Sequence, residues 1–231
     1  MKSKPSEPGP APAEWLVLVP TKFEQQIIKQ HDSVNGPLSS EIIGFGPIVS
    51  AARTAQLLQQ FRPQRVLLLG LAGTFTDDLQ VGSAACFSSV GCYGVGVGAG
   101  HSFRSASELG WQQWPGDGVR LPLSDRIELR ESTVVGARFQ ECSDVRRLLL
   151  TTPAASACEQ DASDRLQMFP DAVAEDMEGF SVAAACHLAG VRLTIVRGIS
   201  NRVGDRDKSN WKIKPALAAA VELSRERGYL I

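Results

Sequence analysis

The sequence lacks the marks of a metal protein, a disulfide scaffold or a polyelectrolyte binder. Its five cysteines (Cys86, Cys92, Cys142, Cys158 and Cys186) are odd in number and form no CxxC pair. They read as reduced thiols, several of them simply buried. The three histidines lie far apart, which leaves no zinc site built from Cys and His. The formal net charge is −1, so there is no general electrostatic pull on nucleic acid or on an anionic membrane. No apolar run approaches the ~20 residues that a bilayer span needs. No targeting segment stands out either. Residues 1–13, MKSKPSEPGPAPA, have no apolar core and resemble a floppy tail. These absences point to a soluble, cytoplasmic chain.

What is present is the patterning of one large α/β domain over residues 14–231. At 231 residues, 43% hydrophobic and 21% charged, the chain can bury a substantial core unaided. Trp15–Val19 and Arg65–Leu69 are continuous apolar runs, as in strands covered on both faces. Between them lie a helical stretch from Phe23 to Gln30, a second strand over Glu41–Phe45, and an alanine-rich helix over Ile48–Phe61. Strand–helix alternation of this kind predicts parallel strands joined by right-handed crossovers. Further strands are expected at Ser83–Val90, Arg147–Thr152, Ala172–Glu175 and Leu193–Val196. Helices are expected at Glu159–Phe169, Glu178–Ala189 and Lys214–Arg227, with Gly190 as a helix-ending glycine. The Gly- and Ser-rich stretch 91–118 reads as a long loop. No internal repeat or second domain is visible. The fold class is therefore α/β, a three-layer α/β/α domain on a central mixed, mostly parallel sheet.

In such sheets ligands bind beyond the carboxyl ends of the strands. Glu24 follows the first strand, Gly44-Phe45-Gly46 the second, and Leu71-Ala72-Gly73 the third. Asp176-Met177-Glu178 follows the short strand, and Ser200-Asn201 the last. No nucleophile–histidine pair and no phosphate-loop lysine accompany them, so the set suits acid/base and hydrogen-bonding chemistry. Each member also has an ordinary explanation. Glycines serve strand-to-helix turns, acidic residues favour helix N-termini as Glu24 would, and Asn201 suits a turn. Asp176 and Glu178 are harder to explain away, because small apolar neighbours suggest burial and buried carboxylates need partners.

The segments Val173-Ala174-Glu175-Asp176-Met177-Glu178-Gly179 and Val196-Arg197-Gly198-Ile199-Ser200-Asn201 resemble the nucleosidase branch of the purine nucleoside phosphorylase superfamily. Gly44–Ala52 and Leu69–Gly82 resemble that family's glycine-rich turns, so the resemblance runs through nearly the whole chain from Trp15. The stretch RGISNRVGDRDKSNWKI is most similar to the futalosine hydrolases. The resemblance implies hydrolysis of an N-glycosidic bond of a small-molecule purine nucleoside, with no metal or organic cofactor. It also implies a homodimer or higher homo-oligomer. By position, Glu24 would be the general base toward water. Glu178 would accept the ribose hydroxyls, with Met177 packed on the sugar, and Asn201 would hydrogen-bond the leaving base. Ala72, Gly73 and Gly46 would let backbone approach the substrate, and Arg197 would hold the frame.

Three departures sharpen the expectation. Adenine-handling members carry Asp where this chain has Asn201, and an amide offers no carboxylate to repel a 6-oxo group. That favours the hypoxanthine of futalosine, with futalosine hydrolysis placed in menaquinone biosynthesis. The phosphorylases carry a cation near the third-strand glycine. Leu69–Gly73 has none, which favours water over phosphate, although Arg53 remains a candidate cation. Ala155 stands where the adenine nucleosidases carry a stacking aromatic, which leaves Phe103 as a candidate ring. The alternatives are a methylthioadenosine/S-adenosylhomocysteine nucleosidase and a catalytically silent nucleoside-binding protein of the same fold.

Overall fold

The structure is a computed structural model that describes residues 14–31, 38–129 and 147–230. The expected tail over 1–13 and Cys142 lie outside the described residues.

The core follows from strands whose two faces are both apolar. β1 (Trp15–Val19), β3 (Arg65–Thr74) and β11 (Arg192–Arg202) lie side by side and parallel. Leu16, Leu18, Val66, Leu68 and Ile195 point to one side. Val17, Val19, Leu67, Leu69 and Val196 point to the other. Helices α2 (Pro47–Phe61) and α4 (Gly179–Ala189) cover the first face, and α1 (Lys22–His31) and α5 (Ile213–Glu226) the second. This is why the strands read as unbroken apolar runs. β2 (Ser40–Ile42) lies parallel to β1 at one edge. The expected strand to Phe45 stops early because Gly44 turns to φ 81°.

Beyond β3 the sheet continues through β10 (Ala172–Asp176), β9 (Leu148–Thr151), β5 (Ser89–Cys92) and β8 (Arg126–Glu128). α3 (Glu159–Met168) connects β9 to β10. The strand expected over Ser83–Val90 is two strands, because the chain changes partner at Ser88. β4 (Ala84–Phe87) pairs antiparallel with β11, whereas β5 pairs parallel with β9. Ser88 N–H donates to Arg147 O at the crossing. The expected long loop begins inside β5 and carries the small hairpin β6 (Gly96–Val97) and β7 (Arg104–Ser105). The last strand was expected to be short. β11 in fact extends through the polar residues Arg197, Ser200 and Asn201.

Two features of this sheet build the site. β3 pairs with β1 only through Leu68 and with β10 only from Gly73. Between those points its edge has no strand partner, which makes a switch point of the kind that accepts ligands. On its other edge β3 pairs with β11, whose register shifts between Ile199 and Asn201. Ser200 is therefore an inserted residue, a bulge that re-aims the side chain after it.

Candidate active site

The gap along β3 opens into a cavity of about 370 Å³. Its wall includes Glu24, Ala72, Gly73, Met177, Glu178 and Asn201, six of the eight residues singled out from the sequence. Gly46 touches the site through a hydrogen bond. Phe103 is not brought to the cavity. It is buried beneath its own loop, with its ring 4.7 Å from that of Tyr93. The candidate stacking ring is corrected accordingly, and among the described residues Phe23, Phe45 and Trp211 are the aromatics of the wall.

Glu24 takes the place of a strand partner. Its Oε1 accepts the Leu71 N–H at 3.1 Å, where β1 has ended and β10 has not begun. Its Oε2 accepts the Thr21 hydroxyl at 2.5 Å, and Thr21 Oγ1 accepts the Glu24 N–H. The helix-start explanation for Glu24 is thus half true, since one oxygen serves the turn and the other reaches the sheet. Burial pushes its carboxyl pKa up, against the opposing pull of Thr21, Arg197 and the Leu71 N–H.

Arg197 is the hub. It is 0% exposed, and its Nη2 donates to Asp176 Oδ2 and, at 3.3 Å, to Glu178 Oε2. Asp176 also accepts from Thr151 Oγ1 at 2.6 Å and from the Gly179 N–H at 2.8 Å. Both of its oxygens are engaged, and Asp176 serves to hold Arg197. Nε and Nη1 of Arg197 find no protein acceptor among the described residues. The guanidinium runs over Gly70, where an added Cβ would lie 2.2 Å from Arg197 Nη1 and 3.0 Å from Glu24 Oε1. Only glycine leaves room for that approach.

Glu178 caps α4, and its Oε1 accepts the Gly46 N–H at 3.1 Å. Gly46 adopts φ 79°, ψ 158°, a region essentially restricted to glycine. Pro47 then starts α2 with a residue that needs no donor. The Gly-Phe-Gly turn is therefore a backbone donor aimed at the Glu178 carboxyl. Burial drives the Glu178 carboxyl up to about 7, with Arg197 pulling down and Asp176 and Glu24 pushing further up.

Asn201 arrives from the bulge. Its Oδ1 accepts the Ser200 hydroxyl at 2.7 Å, and its Nδ2 donates to Arg202 O at 2.7 Å. An amide nitrogen carries two hydrogens, so one donor is left for a ligand. Beside it stands a group that sequence reasoning missed, in which Glu175 is held by Arg165 and Ser156. An arginine ten residues before a glutamate, across a helix and a turn, gave no readable period. Arg206 is the one cation on the wall among the described residues, with its Cζ 5.0 Å from the Trp211 ring. Arg53, the candidate phosphate cation, pairs instead with Glu41 and Gln56 away from the cavity. Arg104 and Arg120 pair with Glu108 and Asp117. Among the described residues no cluster of His, Cys, Asp and Glu is arranged to hold a metal ion, and no helix is long and apolar enough to cross a membrane.

Known proteins resemble this chain in sequence and fold. A futalosine hydrolase of Streptomyces coelicolor is 30% identical over 184 residues, covering 78% of this chain and 73% of that protein. A 5′-methylthioadenosine/S-adenosylhomocysteine nucleosidase of Shewanella oneidensis is 24% identical over 195 residues, covering 82% and 79%. The native structure of futalosine hydrolase from Helicobacter pylori strain 26695 superposes with a TM-score of 0.72 at 17% identity, covering 94% of this chain and 97% of that one. The family profile of the phosphorylase superfamily matches residues 34–227, and the chain belongs to that superfamily.

Proposed function

We propose that this chain hydrolyses the N-glycosidic bond of a 6-oxopurine nucleoside, with futalosine as substrate and hypoxanthine as the released base. Relatives named as hydrolases and nucleosidases, in a family matched over most of the chain, make it an N-glycosyl hydrolase of purine nucleosides. The finer reading rests on one observation, an amide rather than a carboxyl at Asn201 on the cavity wall.

Cleavage builds positive charge on the ribose and negative charge on the departing base, and both must be stabilised. Glu24 is the general base that orients and deprotonates water attacking C1′. The buried, protein-unpartnered Nη1 of Arg197, which reaches over Gly70 toward Glu24, is a second ligand for that water. Glu178 accepts the ribose hydroxyls, with Met177 packed on the sugar and Gly73 and Ala72 leaving space beside it. The free N–H of Asn201 donates to N7 or to the 6-oxygen as the base leaves. Arg206, at the mouth over Trp211, suits the carboxylate at the far end of futalosine. Phe45, Ile48 and Val49 are 67%, 83% and 57% exposed around the start of α2. That apolar surface suits a contact between subunits of a homo-oligomer.

A base-release assay without phosphate tests this reading, using futalosine, inosine, methylthioadenosine and S-adenosylhomocysteine. Hypoxanthine released from futalosine in preference to inosine is the expected outcome. The variant Asn201→Asp should lose 6-oxopurine turnover relative to 6-aminopurine turnover. Adenine release by the unaltered protein would overturn the base assignment and leave the Glu24 and Glu178 chemistry standing. Silence on all four substrates would replace the enzyme by a binding protein.

A further inference from the structure

Glu175 is a buried carboxylate that the hydrolysis does not use. It lies on β10 opposite Gly73, and Asn201 lies opposite the same glycine on β11. The two residues therefore flank one point of β3, and both belong to the cavity wall.

Three donors hold and aim Glu175, while burial pushes its carboxyl up against the opposing pull of Arg165 and Ser156. Its Oε2 accepts Arg165 Nη1 at 2.7 Å and the Ser156 hydroxyl at 2.7 Å, and its Oε1 accepts the Ser156 N–H at 2.8 Å. Arg165 is itself buried and donates to Ala154 O at 2.7 Å, with its Cζ 5.5 Å from the Tyr93 ring. A guanidinium at contact distance favours the ionised form. A carboxylate has about four acceptor positions and no donor, and three are filled here. Glu175 and Ser156 both form cavity wall, so the remaining position is open to a ligand.

What it can accept separates two classes of purine. A 6-oxopurine in its lactam form carries a hydrogen on N1. A 6-aminopurine presents a lone pair at the same place, which a carboxylate repels. We propose that Glu175 is a specificity-determining residue that accepts the N1–H of a 6-oxopurine while Asn201 serves its N7 and 6-oxygen edge. This rests on the base assignment made above for Asn201. Arg165 and Ser156 are positioning residues that favour the ionised carboxyl against its burial and point it at the base.

The experiment is calorimetric titration of the unmodified protein with hypoxanthine, 6-methoxypurine and purine. 6-Methoxypurine keeps an oxygen on C6 but presents N1 as a lone pair, and purine has the lone pair with no substituent. Hypoxanthine should bind about 10- to 100-fold more tightly than either, the worth of one hydrogen bond to a charged group. In Glu175→Gln the ratio of hypoxanthine to 6-methoxypurine affinity should fall at least tenfold, because an amide can turn its NH₂ toward a lone pair. A purely structural tie would weaken both ligands together and leave that ratio unchanged, so an unchanged ratio overturns the proposal. Equal binding of the three purines by the unmodified protein also overturns it, while the hydrolase reading stands if futalosine still releases hypoxanthine. Failure of every purine to bind, together with no nucleoside turnover, removes both.

Discussion

At one end of the cavity three carboxylates gather around a single guanidinium; at the other, one carboxylate has a guanidinium to itself. Glu24, Asp176 and Glu178 share Arg197, whereas Glu175 holds Arg165 and two donors of Ser156. The first end is short of positive charge. Burial pushes up the carboxyls at both ends, Glu178 to about 7 with Asp176 and Glu24 adding to the rise, and Glu175 against the pull of Arg165 and Ser156. A site that lacks a positive charge stabilises one that develops in the substrate, and on the proposed reading the ribose supplies it in the transition state. The second end pairs one carboxylate with one guanidinium, which suits the base-reading role proposed for it. On the proposed reading, charge deficit marks where bonds change, and charge balance marks where the substrate is read.

The comparison can be broken most severely at Glu24. Glu24→Gln should lower kcat about a thousandfold, within the range of a positioned general base, with hypoxanthine affinity and the melting temperature close to those of the unaltered protein. Single-turnover rates and calorimetry check both halves of that statement, and near-normal turnover would remove Glu24 as the base. Arg197→Leu strips the deficient end of its only shared cation. Leaving Asp176 and Glu178 buried without it should cost about 3–5 kcal/mol of stability, read by urea unfolding. Arg126→Leu should cost at most about 1 kcal/mol, because its pair with Asp171 is largely exposed. A finer test uses pH. Because the Glu178 carboxyl is raised to about 7, kcat/KM should fall as pH drops through 7 and the acceptor is protonated. The sign for folding is opposite. A carboxyl with a raised folded pKa contributes stability that is full below its ordinary range and is lost as pH rises through about 7. Melting temperature and kcat/KM should therefore move in opposite directions near neutrality, and Glu178→Gln should flatten the former.

Much of the frame was legible, because β1, β3 and the N-terminal half of β11 are apolar on both faces and α2 and α5 keep helical spacing. The strand ends then placed Glu24, Met177, Glu178 and Asn201 around one cavity without any view of the structure. What could not be read depends on partners distant in sequence. The break at Ser88 follows from a change of neighbouring strand, which leaves no trace in local composition. β11 was cut short at Val196 because a buried arginine inside a strand looks like an ending until Asp176 is brought beside it. Glu175 was passed over because its neighbours, Asp176 and Glu178, carried the family pattern. Phe103 was proposed for the base from its place in a loop, yet Tyr93 offered it a drier contact.

The single inserted residue in β11 has a consequence for how this site can change over time. Ser200 is the extra residue, and its carbonyl oxygen accepts the Lys212 N–H that anchors the start of α5. Side chains alternate along a strand, so a deletion there would exchange the faces of every residue that follows. Asn201 would turn away from the cavity while its identity stayed the same. If Asn201 reads the base as proposed, base preference is encoded in chain length as well as in residue type, and a one-codon deletion would erase it more completely than any substitution.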